Sequence, residues 1–204
     1  ITRLAGFAEV PTDVFVTGEA SEGGADLSKA IKFKAVASGE FEIYTKLTAG
    51  KKYHFTNGTN ASATTYYADG ETLKENGEST VEKTGVYRIN LDFTTGAVAY
   101  TEISKMELFF APTNSYLFEL PYVGQGVWKA ESQPITFKQE GWGRDERYKF
   151  RMTVKEGTEF EWFGSTNGDN SRPNNSTAES FWFMVGVSSD QWNNCFKFAD
   201  EIDN

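Results

Sequence analysis

Phe41-Glu-Ile-Tyr-Thr-Lys-Leu-Thr-Ala-Gly-Lys-Lys-Tyr-His-Phe55 is the stretch on which the fold turns. Phe41, Ile43, Thr45 and Leu47 fall on one side of an extended chain, and Glu42, Tyr44 and Lys46 on the other, which is the period of a half-buried strand. Gly50 punctuates the run, and a second extended piece follows. Val86-Tyr-Arg-Ile-Asn-Leu-Asp-Phe93 repeats the rhythm, with Tyr87, Ile89, Leu91 and Phe93 inward. Thr94-Thr-Gly96 then turns into Ala97-Val-Ala-Tyr100, a predicted hairpin. Met106, Leu108 and Phe110 begin another alternation, and Arg147-Tyr-Lys-Phe-Arg-Met-Thr-Val154 is the cleanest strand of all. No window sustains a helical stripe; only a short turn of helix near Ser188 to Asn193 is expected.

The opening stretch has an echo. Phe41 to Phe55 aligns without a gap on Tyr148 to Trp162, so that Gly50 meets Gly157. Upstream, Ile31-Lys-Phe-Lys34 matches Ile135-Thr-Phe-Lys138; downstream, Thr56-Asn-Gly-Thr-Asn60 matches Thr166-Asn-Gly-Asp-Asn170. Three matches in one order read as a duplication. The expected fold is all-β: two tandem immunoglobulin-like antiparallel β-sandwich modules, residues 1–103 and 104–204. The second lacks a counterpart of the Tyr87-to-Tyr100 hairpin, so its closing strands are expected to be missing from the sequence, leaving an open edge.

Composition narrows the function. A net charge of −9 opposes a non-specific nucleic-acid binder and docking on anionic lipid. No apolar run is long enough for a transmembrane helix. The start at Ile1, without Met or leader, reads as a processed or trimmed piece. One Cys and one His give neither a disulfide nor a zinc site, and nothing positions His54 in a catalytic relay. Asp145, Glu146, Glu159 and Glu161 are available to a glycosidase, but equally to any solvated strand face. Gly124-Gln-Gly126 is half a phosphate loop without its Lys-Ser/Thr, and reads as a turn. Thr166 to Asn170 reads as a plain loop before a calcium loop. Sequons at Asn57, Asn60, Asn174 and Asn175 fall in predicted loops. No enzyme activity, metal or other cofactor is expected.

Tryptophan carries the functional signal. All five (Trp128, Trp142, Trp162, Trp182 and Trp192) follow residue 104, and Phe55 stands where the alignment puts Trp162. Trp162 is therefore expected in the core. Trp142 sits in Glu140-Gly-Trp-Gly-Arg-Asp-Glu146, a polar insertion. It either caps a sheet edge or, with Arg144 and Asp145, offers a sugar an apolar face beside polar partners. Lys149 and Arg151, read as pointing outward from the next strand, are added to the candidate carbohydrate-binding set. Trp182, in Phe181-Trp-Phe-Met184, fits a core or a site equally, and Trp192 is unplaced.

Val14-Phe-Val-Thr-Gly18, Ile31-Lys-Phe-Lys34, Leu47-Thr-Ala-Gly-Lys-Lys-Tyr-His-Phe55 and Gly85-Val-Tyr-Arg-Ile-Asn-Leu-Asp-Phe93, in that order, resemble the modules of SusE/SusF-type outer-membrane lipoproteins of Bacteroidetes polysaccharide-utilisation systems. The resemblance implies a surface-exposed outer-membrane protein, held by a lipid anchor upstream of this chain. It would bind a polysaccharide or oligosaccharide, such as a starch-like glycan, beside other components of an uptake system. The rival expectation is a structural spacer or protein-interaction module. The first unit has no Trp, and Tyr66-Tyr67 is its only adjacent aromatic pair in a loop context, which suits a spacer.

Overall fold

A computed structural model describes residues 6–168 and 179–198. The fold is all-β; among the described residues the only helices are 3₁₀ turns of three or four residues. The chain forms two compact units, Ile1–Ile103 with Tyr122–Val127, and Ser104–Pro121 with Trp128–Asn204. The main break lies between Ile103 and Ser104, and the first unit also takes back the short downstream piece Tyr122–Val127.

In the first unit two antiparallel runs of strands, joined into one sheet at the Thr72–Ala97 pair, fold over one β-sandwich-like core. One runs Ile31–Lys32, Phe15–Thr17, His54–Thr56, Thr65–Asp69, Thr72–Glu75. The other runs Lys34–Ala37, Glu40–Leu47, Gly85–Asp92, then the start of Ala97–Phe110. The alternation read from the sequence is the alternation observed. Phe41, Ile43, Leu47, Tyr87, Ile89, Leu91 and Phe93 pack with Val14, Val16, Phe55, Tyr66 and Leu73 from the facing run. Each such side chain contributes about 1.5–3 kcal/mol by leaving water. Phe93 lies edge-on to both Phe41 and Tyr66. Thr45 shares this buried face, and its hydroxyl has no hydrogen-bond partner among the described residues. The Thr94–Gly96 turn is fixed by Asp92, whose carboxylate accepts from the Thr94 amide at 2.8 Å, while Gly96 supplies φ +73°.

No new strand begins near Met106. Ala97–Phe110 is one strand of fourteen residues. Its alternation passes through Ile103 to Lys105 without a Gly or Pro, so the ladder continues with new partners.

In the second unit the strand order is Met184–Val187, Glu159–Ser165, Tyr148–Val154, the end of Ala97–Phe110, Ser115–Glu119. A separate hairpin joins Lys138–Glu140 to Gly143–Asp145. The duplicated stretches are both strand, turn, strand, with Gly50 and Gly157 at φ +75° and +86°. Their pairing differs. Tyr148–Val154 and Glu159–Ser165 pair directly across Lys155–Gly157, all three residues of that turn having positive φ. In the first unit the chain instead crosses after Leu47, and His54–Thr56 pairs with Phe15–Thr17 and Thr65–Asp69 in the other run. Near Ser188–Asn193 there is no helix: the Asp190 carboxylate accepts from the Trp192 and Asn193 amides and closes a turn.

Candidate functional site

Tyr148–Val154 organises the second unit, since period two sends its side chains to two unlike faces. Met152 and Val154 pack on the side of Met106, Leu108 and Phe110, all buried. Arg147, Lys149 and Arg151 project to the opposite side, and each cation there meets an aromatic ring. Arg147 lies 4.4 Å from the Trp192 ring centre, Lys149 5.3 Å from that of Trp162, and Arg151 3.7 and 4.3 Å from those of Tyr116 and Phe160. At about 3.3 Å per residue the three cations span about 13 Å.

The outward reading of Lys149 is corrected here. It is 0% exposed, and its ammonium donates to the carbonyls of Ser188 at 3.0 Å, Asn193 at 3.1 Å, and Asp190. Burial pushes the amine below the ordinary lysine pKa, while the three acceptors favour its charged form. Alternation placed Lys149 opposite Met152 but said nothing of the loop that covers that face. Arg151 is corrected likewise. Its guanidinium is held between two rings and donates to Glu107 at 2.8 Å, so it is mostly buried.

Asp145 is buried as well, with its carboxylate accepting two bonds from Arg147, at 2.9 Å from Nε and 2.7 Å from Nη2. Burial alone would raise its pKa; the Arg147 bonds outweigh that and hold it below the usual carboxylate range. It orients Arg147 over Trp192 and is not open to a ligand. Beneath lies Cys195, fully buried, its thiol pushed up to about 11 by burial.

Trp142 does not cap a sheet edge. It stands at the two-residue tip of its hairpin, 68% exposed, because Glu140 pairs with Gly143 and leaves only Gly141 and Trp142 to turn. Arg144, on the returning strand, lies over the Phe137 ring at 5.9 Å. From Phe137 a stack of rings runs through Phe198, Tyr148 and Phe196 to Trp182, which is 43% exposed. Arg144 and Trp182 thus connect to the side of Tyr148, Lys149 and Arg151 lie on the other, and Trp142 stands apart at its hairpin tip. The six candidates do not form one site.

What the sequence reading missed is the open surface beside the cation row. A groove of about 710 Å³ runs over Glu159–Ser165 and Met184–Val187, with Phe160, Trp162 and Val187 against it and Thr158, Glu159, Glu161 and Ser189 as polar lining. Phe160 is 51% exposed, while Trp162 leans edge-on against Phe109. The signal was present as aromatics two residues apart, facing the same way as Arg151. Trp162, expected in the core because Phe55 aligns with it, does pack against the buried Phe109, Ala111 and Cys195 while its partly exposed side also lines the groove.

Among the described residues no group of His, Cys, Asp and Glu is disposed to hold a metal ion. Asn57 and Asn60 lie in turns, where their side-chain oxygens accept from the Thr64 and Ser62 amides. Asn174 and Asn175, and the end of the Thr166–Asn170 stretch, lie outside the described residues. No family model, curated protein or solved structure matches the chain.

Proposed function

We propose that the second unit binds a glycan without chemically altering it, in the groove over Phe160 and Trp162. The observation that carries this reading is the distribution of exposed rings. Tyr116, Trp142, Phe160, Trp182, Phe183 and Trp192 are exposed, all in the second unit, and the described residues of the first unit expose no aromatic to that degree. Sugar rings stack on such faces, and Thr158, Glu159, Glu161 and Ser189 in the groove lining supply polar partners for their hydroxyls, while the Arg151–Glu107 pair holds Phe160 in place from behind. Trp142 serves as a second stacking surface. The resemblance stated above extends the proposal to tandem immunoglobulin-like modules on an outer-membrane lipoprotein of a polysaccharide uptake system.

Affinity electrophoresis in gels containing neutral polysaccharides tests the binding. Retardation by at least one glycan is expected. Phe160→Ala should weaken it about tenfold, since an aromatic stack contributes about 1–1.5 kcal/mol, without releasing reducing ends. No retardation across the panel, or none lost in Phe160→Ala, would overturn the reading.

One observation favours protein binding instead. Among the described residues Met184–Val187 pairs on one side only, and Phe183, Met184 and Val185 are exposed. Such an edge can accept a partner's strand. Capture of a strand-forming peptide, blocked by proline at Val185, distinguishes this reading.

A further inference from the structure

The piece of chain that the first unit takes back, Tyr122–Val127, closes one side of an open groove of about 1060 Å³. Gly124, Gln125 and Gly126 have φ of +109°, +52° and +72°, and this left-handed run turns its amides toward Glu22 and Tyr122. The Glu22 carboxylate accepts from the Gln125 amide at 2.7 Å, from the Lys46 amide at 2.8 Å, and from the Tyr122 hydroxyl. The Gly126 amide donates to Tyr122 Oη at 3.0 Å. Glu22, the only acid among the described residues that line the groove, is thereby committed to holding the turn.

The cations of the groove are not so committed. Lys29 and Lys46 both line it, both are exposed, and neither ammonium forms an ion pair within the described residues. Most of the protein's lysines do: Lys32, Lys52, Lys74, Lys83, Lys105, Lys129, Lys138 and Lys155 each sit against a carboxylate. The Asp26 carboxylate, three residues before Lys29, accepts from the Ser28 amide and hydroxyl at 3.0 and 2.7 Å. Ile31, Val123 and Val127 supply apolar lining in the same groove. The charge of Asp26 is felt at Lys29 without a direct ion pair, and on a protein of net charge −9 two ammoniums held by no carboxylate beside an apolar wall favour an anion.

We infer that the first unit is a second binding site, for a carboxylate-bearing glycan such as a uronic-acid polymer, with Lys29 and Lys46 meeting the carboxylates and Val123 and Val127 meeting the sugar faces. The inference rests on the glycan-binding reading for its ligand class, but not on the same residues.

The full chain is run in native gels containing polygalacturonate or a neutral polysaccharide, as wild type, Lys29→Ala/Lys46→Ala, Lys29→Arg/Lys46→Arg and Phe160→Ala. Polygalacturonate should retard the wild type and the arginine pair. The alanine pair should bind about tenfold more weakly, as two exposed charge contacts allow, and raising the salt should reproduce that loss. Neutral-glycan retardation should persist in both lysine variants, while Phe160→Ala should keep the polygalacturonate response. No response to polygalacturonate, or one indifferent to the lysine pair, overturns the inference and leaves the Phe160 reading to stand or fall on its own arm. Retention of polyglutamate in place of polygalacturonate also overturns it, since an acidic peptide would then be the ligand.

Discussion

Replacing Lys149 by Met separates the two accounts of that residue. The substitution keeps most of the side chain's length and apolar bulk but deletes the ammonium, leaving the Ser188, Asp190 and Asn193 carbonyls without their donor. Three charge-assisted bonds at about 1.5 kcal/mol each, offset by about 1–2 kcal/mol of ammonium dehydration no longer required, put the net loss at about 3 kcal/mol. That is a large part of the 5–15 kcal/mol typical of a domain. With a urea dependence of about 1 kcal/mol per molar for a unit of this size, the midpoint should fall by about 2–3 M. Tryptophan emission is the natural probe, because all five indoles lie in the second unit. A sugar-contacting lysine pointing into water would behave in the opposite way, losing glycan retention with stability changed by less than about 0.5 kcal/mol. A midpoint that stays within about 0.5 M of wild type refutes the scaffold role assigned to Lys149.

Three further outcomes follow from buried polar groups. Asp145 has a folded pKa below its unfolded value of about 4, so the stability it contributes is present above pH 4 and disappears as pH falls through the folded value. Asp145→Asn should cost about 2 kcal/mol at pH 7 and flatten the acid limb, which urea titrations between pH 7 and pH 2 would register. Thr45→Val should stabilise the first unit by about 1 kcal/mol, since a buried hydroxyl without a partner among the described residues is replaced by a methyl of the same shape; circular dichroism melting should rise by about 4–8 °C, and a fall would count against the packing described. With its thiol raised to about 11, Cys195 should react with a disulfide reagent about 100-fold more slowly in the native protein than after unfolding, where the pKa is about 8.5; equal rates would contradict its burial.

Phe41 to Leu47 and Tyr87 to Phe93 were legible because one face of each strand is buried and the other is not, so period two alone decides which residue goes where. The same rule sent Lys149 and Arg151 to the correct side of their strand and then failed, since it is silent about what packs over that side. The covering loop lies about forty residues downstream of Lys149, and Tyr116, which flanks Arg151, comes from a different strand again. Trp142 was readable from its two flanking glycines in a polar run, a local signal for a local turn. Gly124-Gln-Gly126 was readable as a turn, but not as one that receives an anion. Its anion, Glu22, lies 103 residues before Gln125, and nothing near either residue announces the other. The repeat misled in one respect: similar strand-turn-strand sequences pair with each other in one unit and join different runs of strands in the other.

The bond between Tyr122 and Glu22 also sets an order of events during synthesis. Glu22 leaves the ribosome one hundred residues before the hydroxyl that it receives. A nascent chain stopped at Ile103 carries every strand of the first unit's two runs, yet its Glu22 carboxylate has neither the Tyr122 hydroxyl nor the Gln125 amide to accept from. Maturation of the amino-terminal unit therefore waits on translation through Val127, past the first stretch of its neighbour, and a gene fragment ending at Ile103 encodes a protein that is short of its own final turn.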